Sequence, residues 1–193
     1  MDKLFNLQLE AHPGNFQRFE GRKKSKVFQK VKKETVKRFH NTCCYCGIGL
    51  DESEFEIVNI NHNYQDNHKN NFAIACKLCT QPLLLDQYTT NYSGNDRIIY
   101  FPTMNQSQLN HLYRALWYHI ENKTKEASFK SKELIAELTD AQKTLDEVVG
   151  TNLSHPGVLV HYIYGRKSDR QLLKKLRWLP SMDTLEKLMG HKK

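Results

Sequence analysis

The sequence predicts an α+β protein, a small cysteine-built core with short strands surrounded by additional α-helices. Three observations lead there. Cys43-Cys44-Tyr45-Cys46-Gly47 is followed, some thirty residues on, by Cys76-Lys77-Leu78-Cys79, and two C-x-x-C pairs at that separation have the spacing of a tetrahedral zinc site. Between the pairs, Phe55 to His62 is rich in β-forming residues, and Phe72-Ala73-Ile74-Ala75 leads straight into Cys76. On both sides of this stretch apolar residues recur at helical spacing, most strongly after residue 105, which predicts amphipathic helices packed on a core.

Two residues between cysteines let both sulfurs of a pair reach one ion while the backbone turns beneath them, and Gly47 suits that turn because glycine accepts positive φ cheaply. The assigned ligands are Cys43, Cys46, Cys76 and Cys79. Using Cys44 would leave a cramped C-x-C pair with Cys46, so Cys44 is read as a buried or idle thiol. The rival reading, two disulfides or scattered core cysteines, needs an oxidising compartment. Met1 is followed by charged Asp2 and Lys3 with no apolar run before the basic segment, which does not have the form of a secretory signal. Zn²⁺, one per chain, is therefore the expected cofactor. Four thiolates fill its coordination shell and leave no open position for substrate, so its role is structural.

Length and charge set the outer bounds. At 193 residues the chain can bury one good core with an appended subdomain, and the expected division is 1–102 for the N-terminal strand, basic helix and zinc core, with 103–193 as a mainly helical extension. The net charge of +8 is unevenly placed: residues 1–40 hold 11 Lys/Arg against 4 Asp/Glu, residues 165–193 hold 9 against 3, and the middle holds 9 against 14. Basic ends around an acidic centre favour anionic partners at the ends, whether nucleic acid, lipid headgroups or an acidic protein segment. A solvated basic helix face explains any single cluster equally well. No stretch approaches the roughly 18 apolar residues that span a bilayer.

Taken in order, Leu4-Phe5-Asn6-Leu7-Gln8-Leu9-Glu10 nearly alternates apolar and polar residues, as a half-buried strand requires. Pro13-Gly14-Asn15 marks a turn. From about Lys23 to His40, Val27, Phe28, Val31, Val36 and Phe39 describe one amphipathic helix that delivers the chain into the first cysteine pair. A metal knuckle, a hairpin over residues 55–75 and a second knuckle opening a helix then make a treble-clef arrangement. The loop from Tyr88 to Asn95 precedes a strand, Arg97 to Phe101, ended by Pro102.

Gln106 to Lys123 places Leu109, Leu112, Tyr113, Leu116, Trp117 and Ile120 on one helical face. Most of that stripe is core, although Trp117, Tyr113 and Tyr118 are residue types that anchor interfaces when exposed. Residues 124–132 are polar and lysine-rich and are expected to form a linker or mobile loop. Glu133 to Val149 is helical again, with Gly150 placed to end it. The segment after His155-Pro156-Gly157, through Val158 to Tyr164, fits a buried helix or a strand, since periodicity does not decide between them. Its His161 reads as a packed or surface histidine. In the tail, Ser168-Asp169-Arg170-Gln171 fits a capping box ahead of a basic helix through Leu172, Leu173 and Leu176, and Ser181 caps a last helix through Leu185 and Leu188.

A helix leading into Cys43-x-x-Cys46-Gly47, a strand ending in Asn61-His62, then Asn71-Phe72 and Cys76-x-x-Cys79 resembles the zinc-bearing version of the HNH nuclease fold. That resemblance implies His62 as general base, Asn71 as the residue orienting the active loop, and the position after the last cysteine as a catalytic-metal ligand. The departures fall on the metal. Asn61 stands where an acidic ligand is usual and Thr80 where the helix usually bears histidine or asparagine, so neither a negative charge nor an imidazole is offered to magnesium. His62 alone lacks the main stabiliser of transition-state charge. The expected enzyme status is therefore none, that of a degenerate nuclease, with His62 read in preference as a polar residue at a strand end.

Across most of its length the chain is similar to the IcmJ (DotN) family of type IVB (Dot/Icm) secretion systems. The similarity runs through the Pro13-Gly14 turn, the basic helix, the Cys43/Cys46 knuckle, Val58-Asn59-Ile60, Asn71, Cys76-x-x-Cys79-x-Gln81, Ile98-Ile99-Tyr100-Phe101-Pro102 and Leu179-Pro180-Ser181. It implies a non-catalytic, zinc-stabilised adaptor of the coupling complex that binds the C-terminal extension of a DotL-like coupling ATPase and other coupling-complex subunits. The implied location is cytoplasmic, with peripheral proximity to the inner membrane through the complex. His62 is a mild departure, because a scaffold needs no base there. Two other functions compete: a metal-dependent HNH-type endonuclease using His62 and Asn71, and a nonspecific nucleic-acid binder whose affinity falls steeply with salt.

Overall fold

The structure is a computed structural model that describes residues 4–90, 94–122, 124–150, 152–165 and 168–190. It is α+β, and it divides into two compact units, Met1–Asn91 and Tyr92–Lys193. The sequence reading placed the division after residue 102. It falls earlier because the strand at Arg97–Tyr100 pairs with one near the C-terminus and so belongs to the second unit.

In the first unit, residues 4–12 are extended and bury Leu7, Leu9 and Ala11 on alternate positions. They form no strand, contrary to the sequence expectation. Their backbone bonds go to irregular partners: Phe5 N–H to the Cys44 carbonyl (2.8 Å), Glu10 N–H to the Pro82 carbonyl (2.8 Å), and the Glu10 carbonyl from Leu85 N–H (3.0 Å). The alternation correctly marks which side chains are buried and is silent on what the backbone pairs with.

After the Pro13-Gly14 turn, with Gly14 at φ 77°, the chain enters α1 (Asn15–Lys23) and then α2 (Lys26–Arg38). These replace the single helix expected over 23–40. Ser25 adopts an extended conformation between them, and the Gln29 amide donates to the freed Lys23 carbonyl at 2.7 Å. The break lets Arg22 turn inward at the end of α1 while α2 starts afresh. Next comes a tight loop, closed by Cys43 N–H to the Ile48 carbonyl and Gly47 N–H to the Cys43 carbonyl, both at 2.9 Å. Gly47 sits at φ 74°, the left-handed conformation the sequence asked of it.

The hairpin is β1 (Phe55–Asn59) against β2 (Phe72–Cys76), antiparallel, with Phe55 opposite Cys76 and Asn59 opposite Phe72. Every residue of β2 is buried. β2 runs directly into α3 (Lys77–Thr80), a single turn, and then into a 3₁₀ segment, Gln81–Thr89, whose Leu83, Leu84 and Leu85 are fully buried.

The second unit is built on β3 (Arg97–Tyr100) paired antiparallel with β4 (Leu176–Leu179), with α4 (Gln106–Asn122), α5 (Lys125–Val149) and α6 (Pro156–Tyr164) between them in sequence. In the expected loop from Tyr88 to Asn95, residues 91–93 lie outside the described residues. Leu109, Tyr113 and Trp117 of α4 are buried, so the stripe is core, whereas Tyr118 is exposed. α5 packs on both α4 and β3.

Three expectations are corrected here. The lysine-rich stretch 124–132 is not a linker but the start of α5. Thr124 caps it by accepting from Ala127 N–H, a Lys130–Glu126 pair spans one turn at 2.7 Å, and the Ser131 hydroxyl is satisfied by the Ala127 carbonyl. Polarity alone does not break a helix where neither glycine nor proline intervenes. The tail helix expected through Leu176 shrinks to α7 (Arg170–Leu173), capped by Asp169 and not Ser168, and Leu176 to Leu179 become β4, with Trp178 fully buried. The Val158 to Tyr164 segment resolves as α6, with Pro156 in its first turn and the His155 ring capping it. Ser181 caps α8 (Met182–Met189) as the sequence indicates.

Candidate metal centre

Each element of the first unit places one part of the cysteine site. The loop after α2 carries Cys43 and Cys46, the end of β2 carries Cys76, and α3 carries Cys79. The hairpin register that sets Phe55 opposite Cys76 fixes where the second pair begins. All four side chains are buried and their sulfurs lie within 4.8 Å of one another. Cys46 and Cys76 Sγ are 3.9 Å apart. A tetrahedral centre with Zn–S bonds of about 2.3 Å needs sulfurs about 3.8 Å apart, so the spacing fits an ion and is far from the roughly 2 Å of a disulfide. All five cysteines are free thiols.

The electrostatics of the cluster also fit a cation. Cys43 is held well below the ordinary thiol range, first by hydrogen bonding from the Cys46 thiol and then by Cys76 and Cys79, and its sulfur accepts the Cys76 N–H at 3.3 Å. Cys79 is pushed the other way, first by its contact with Cys43. Four sulfurs in one buried volume cannot all be thiolate unless a positive ion shares it. Cys44 stands apart: burial raises its thiol to about 11, which keeps it protonated, and its backbone N–H and carbonyl tie the site to Ile74 and Phe5. Among the described residues, the four cysteines are the one group of three or more His, Cys, Asp or Glu side chains close enough to share an ion.

Of the residues compared with the nuclease fold, Asn61, His62 and Asn71 lie between β1 and β2, and Thr80 lies in α3. Asn61 is consumed by the loop itself: its amide nitrogen donates to Asp66 Oδ2 at 2.8 Å, and its oxygen accepts from Asn63 N–H (3.0 Å) and from Asn71 Nδ2 (2.8 Å). Asn71 Oδ1 in turn accepts the Asn61 N–H at 3.0 Å, and Asn71 Nδ2 also reaches the Asp66 carbonyl. Asn61 and Asn71 thus clamp the two ends of the loop together. The Thr80 hydroxyl is buried and donates to the Cys76 carbonyl at 3.1 Å, so it too is committed to the fold.

His62 follows the strand in a turn at φ 56°. Its carbonyl accepts from Asn15 Nδ2 at 2.6 Å, its Nε2 lies 3.9 Å from Glu10 Oε1, and its Nδ1 is buried without a hydrogen-bond partner. Its ring runs nearly parallel to that of His12, 6.2 Å away, and His12 holds Glu10 Oε2 at 3.2 Å. Burial lowers the His62 pKa, with Glu10 opposing. Glu10 and His12 escape a sequence reading because they come from the extended N-terminal segment, where no spacing motif links them to a histidine fifty residues on. Arg22 is missed for the same reason. It looks like one more surface cation, yet its guanidinium lies inside the unit, donating to Asn59 Oδ1 (2.6 Å) and the Ile57 carbonyl (2.5 Å).

No family model matches the chain. The chain is similar to the type 4 apparatus protein DotN of Legionella pneumophila subsp. pneumophila (strain Philadelphia 1), with 27% identity over 180 residues that cover 91% of this chain and 83% of that protein. Across that span the two are homologues.

Proposed function

We propose that this chain, a homologue of a type 4 apparatus protein, is a non-catalytic, zinc-stabilised adaptor of a type IVB secretion coupling complex. In this reading it acts in the cytoplasm beside the inner membrane and binds the C-terminal extension of a DotL-like coupling ATPase together with other subunits of that complex. The observation that carries the reading is the closed set of four buried cysteines. A knuckle, a hairpin and a second knuckle opening a helix, in that order, support a treble-clef, HNH-like core. Zinc bound there supplies folding free energy and no reaction. Asn61 and Thr80, at the positions where a nuclease would hold its metal, spend their polar groups on the loop and on α3. Elemental analysis is expected to find one zinc per chain in the purified protein and in Cys44→Ser, and none in Cys76→Ser. A pull-down from native membranes with the full chain as bait tests the adaptor role. Recovery of a coupling ATPase supports it, and recovery of nucleic acid alone sinks it.

One observation favours the nuclease reading: a half-buried, neutral His62 with a partnerless Nδ1 is in the protonation state of a general base. Metal-dependent nicking of plasmid DNA that disappears in His62→Ala would establish it. No such nicking is expected.

A further inference from the structure

We propose that α2 is a docking surface for anionic lipid, presenting a ridge of four lysines to the headgroups of a membrane. At about 100° per residue, Lys26, Lys30, Lys33 and Lys37 fall within one narrow arc of the helix. Buried Thr35 lies on the opposite side with half-buried Phe28, Val31 and Phe39, and buried Val36 lies about a quarter-turn from the ridge. All four lysines are exposed. Among the described residues none has an ion-pair partner, whereas Lys23 at the end of α1 is held by both Glu20 and Glu56. The ridge runs about 16 Å along the helix axis, and α2 carries one acidic residue, Glu34, on its flank.

Three features choose a lipid surface over a peptide or a nucleic acid. The ridge is all lysine, point charges on flexible stems without the planar fork that recognises individual carboxylates or phosphates. The nearby arginines spend their forks on the protein itself, Arg22 on Asn59 and the Ile57 carbonyl, and the exposed Arg38 on the Lys69 and Phe72 carbonyls. The ridge is also convex, standing opposite the buried face, so it meets a broad flat surface better than it encloses a strand. Beside it, Val27 is 75% exposed. An aliphatic side chain there gains little against phosphates in water but can enter the boundary between headgroups and acyl chains. Each lysine near an anionic leaflet adds a comparable increment of attraction, within about a Debye length. The inference rests on α2 and the side chains around it and stands apart from the adaptor reading, so either can fail without the other.

The test is co-sedimentation of the full-length protein with phosphatidylcholine vesicles, with and without phosphatidylglycerol. Two quadruple variants with the same net charge are compared. One replaces Lys26, Lys30, Lys33 and Lys37 by Gln; the other replaces Lys125, Lys130, Lys132 and Lys143 of α5 by Gln. Circular dichroism confirms that both are folded. Wild type and the α5 variant are expected to bind phosphatidylglycerol vesicles, and the α2 variant to bind up to about a thousandfold more weakly. Equal weakening of both variants would reduce the effect to net charge and overturn the proposal. So would absence of vesicle binding by wild type, or duplex DNA binding that depends on the stripe while vesicles are ignored.

Discussion

Arg22 lies among four aromatic rings, its guanidinium carbon 4.6 Å from the centroid of Phe28, 4.7 Å from Tyr64, 5.5 Å from Phe72 and 5.7 Å from Phe19. Burial lowers its pKa to about 10, which leaves it charged at neutral pH, and its two hydrogen bonds hold the end of β1. Arg22→Met keeps the packed stem and deletes the fork, leaving the Ile57 carbonyl and the buried Asn59 amide oxygen without their donor. Chemical denaturation is expected to show a loss of about 2–4 kcal/mol. The histidine pair gives a second prediction. Burial lowers the His62 pKa, so the unfolded chain takes that proton first, and His62 withdraws stability as pH falls through the ordinary value of 6.5. His12 is raised, first by its hydrogen bond to Glu10, so its contribution is present in full below 6.5 and is lost as pH rises through the raised value. The two oppose each other. His12→Gln should therefore steepen the loss of stability between about pH 7 and pH 5, and His62→Gln should flatten it, as read from denaturation midpoints across that range.

Among the elements, the β3–β4 ribbon depends on a side chain from a helix. Gln106, at the start of α4 and fully buried, accepts the Trp178 N–H at 2.8 Å and donates to the Trp178 carbonyl at 2.9 Å, the two bonds a third strand would make. Gln106→Leu preserves the helix and the volume but removes the Gln106 bonds to both backbone groups of the buried Trp178. A destabilisation of about 2–4 kcal/mol is expected by thermal or chemical unfolding. The same residue shows where the sequence stops being legible. The apolar stripe of α4 was readable because Leu109, Tyr113 and Leu116 repeat at the helical period, and the cysteine cluster was readable because a C-x-x-C pair brings its sulfurs together through local spacing. Gln106 carries no pattern, since its partner is 72 residues away. β4 was hidden because Leu172, Leu173 and Leu176 continue a helical spacing that tertiary pairing overrides. The start of α5 was hidden because a lysine-rich composition is compatible with both a coil and an exposed helix. The split between α1 and α2 follows from where Arg22 is buried, which no periodicity encodes.

At the scale of the whole chain, the two units carry separate reporters. All four candidate ligands lie in the first unit, and both tryptophans, Trp117 and Trp178, lie in the second. In a unit with so small a hairpin, ion binding of order 10 kcal/mol is as large as the whole net stability of an ordinary domain. Chelation is therefore expected to abolish hydrogen-exchange protection in β1, β2 and α3, with tryptophan emission from the second unit unchanged. Retained protection in β1 and β2 after complete metal removal would show that the apolar core of the first unit suffices.

The ribbon of the second unit has one more consequence. Ile98 N–H, on the outward side of β3, is taken by the Ser154 carbonyl at 2.7 Å, while the outward groups of Trp178 on β4 are taken by Gln106. Exposed strand edges with unpaired backbone groups are where like molecules zip together. Here the outward Ile98 N–H and both outward groups of Trp178 are already taken from within, so at those positions this ribbon offers another copy of the chain no template.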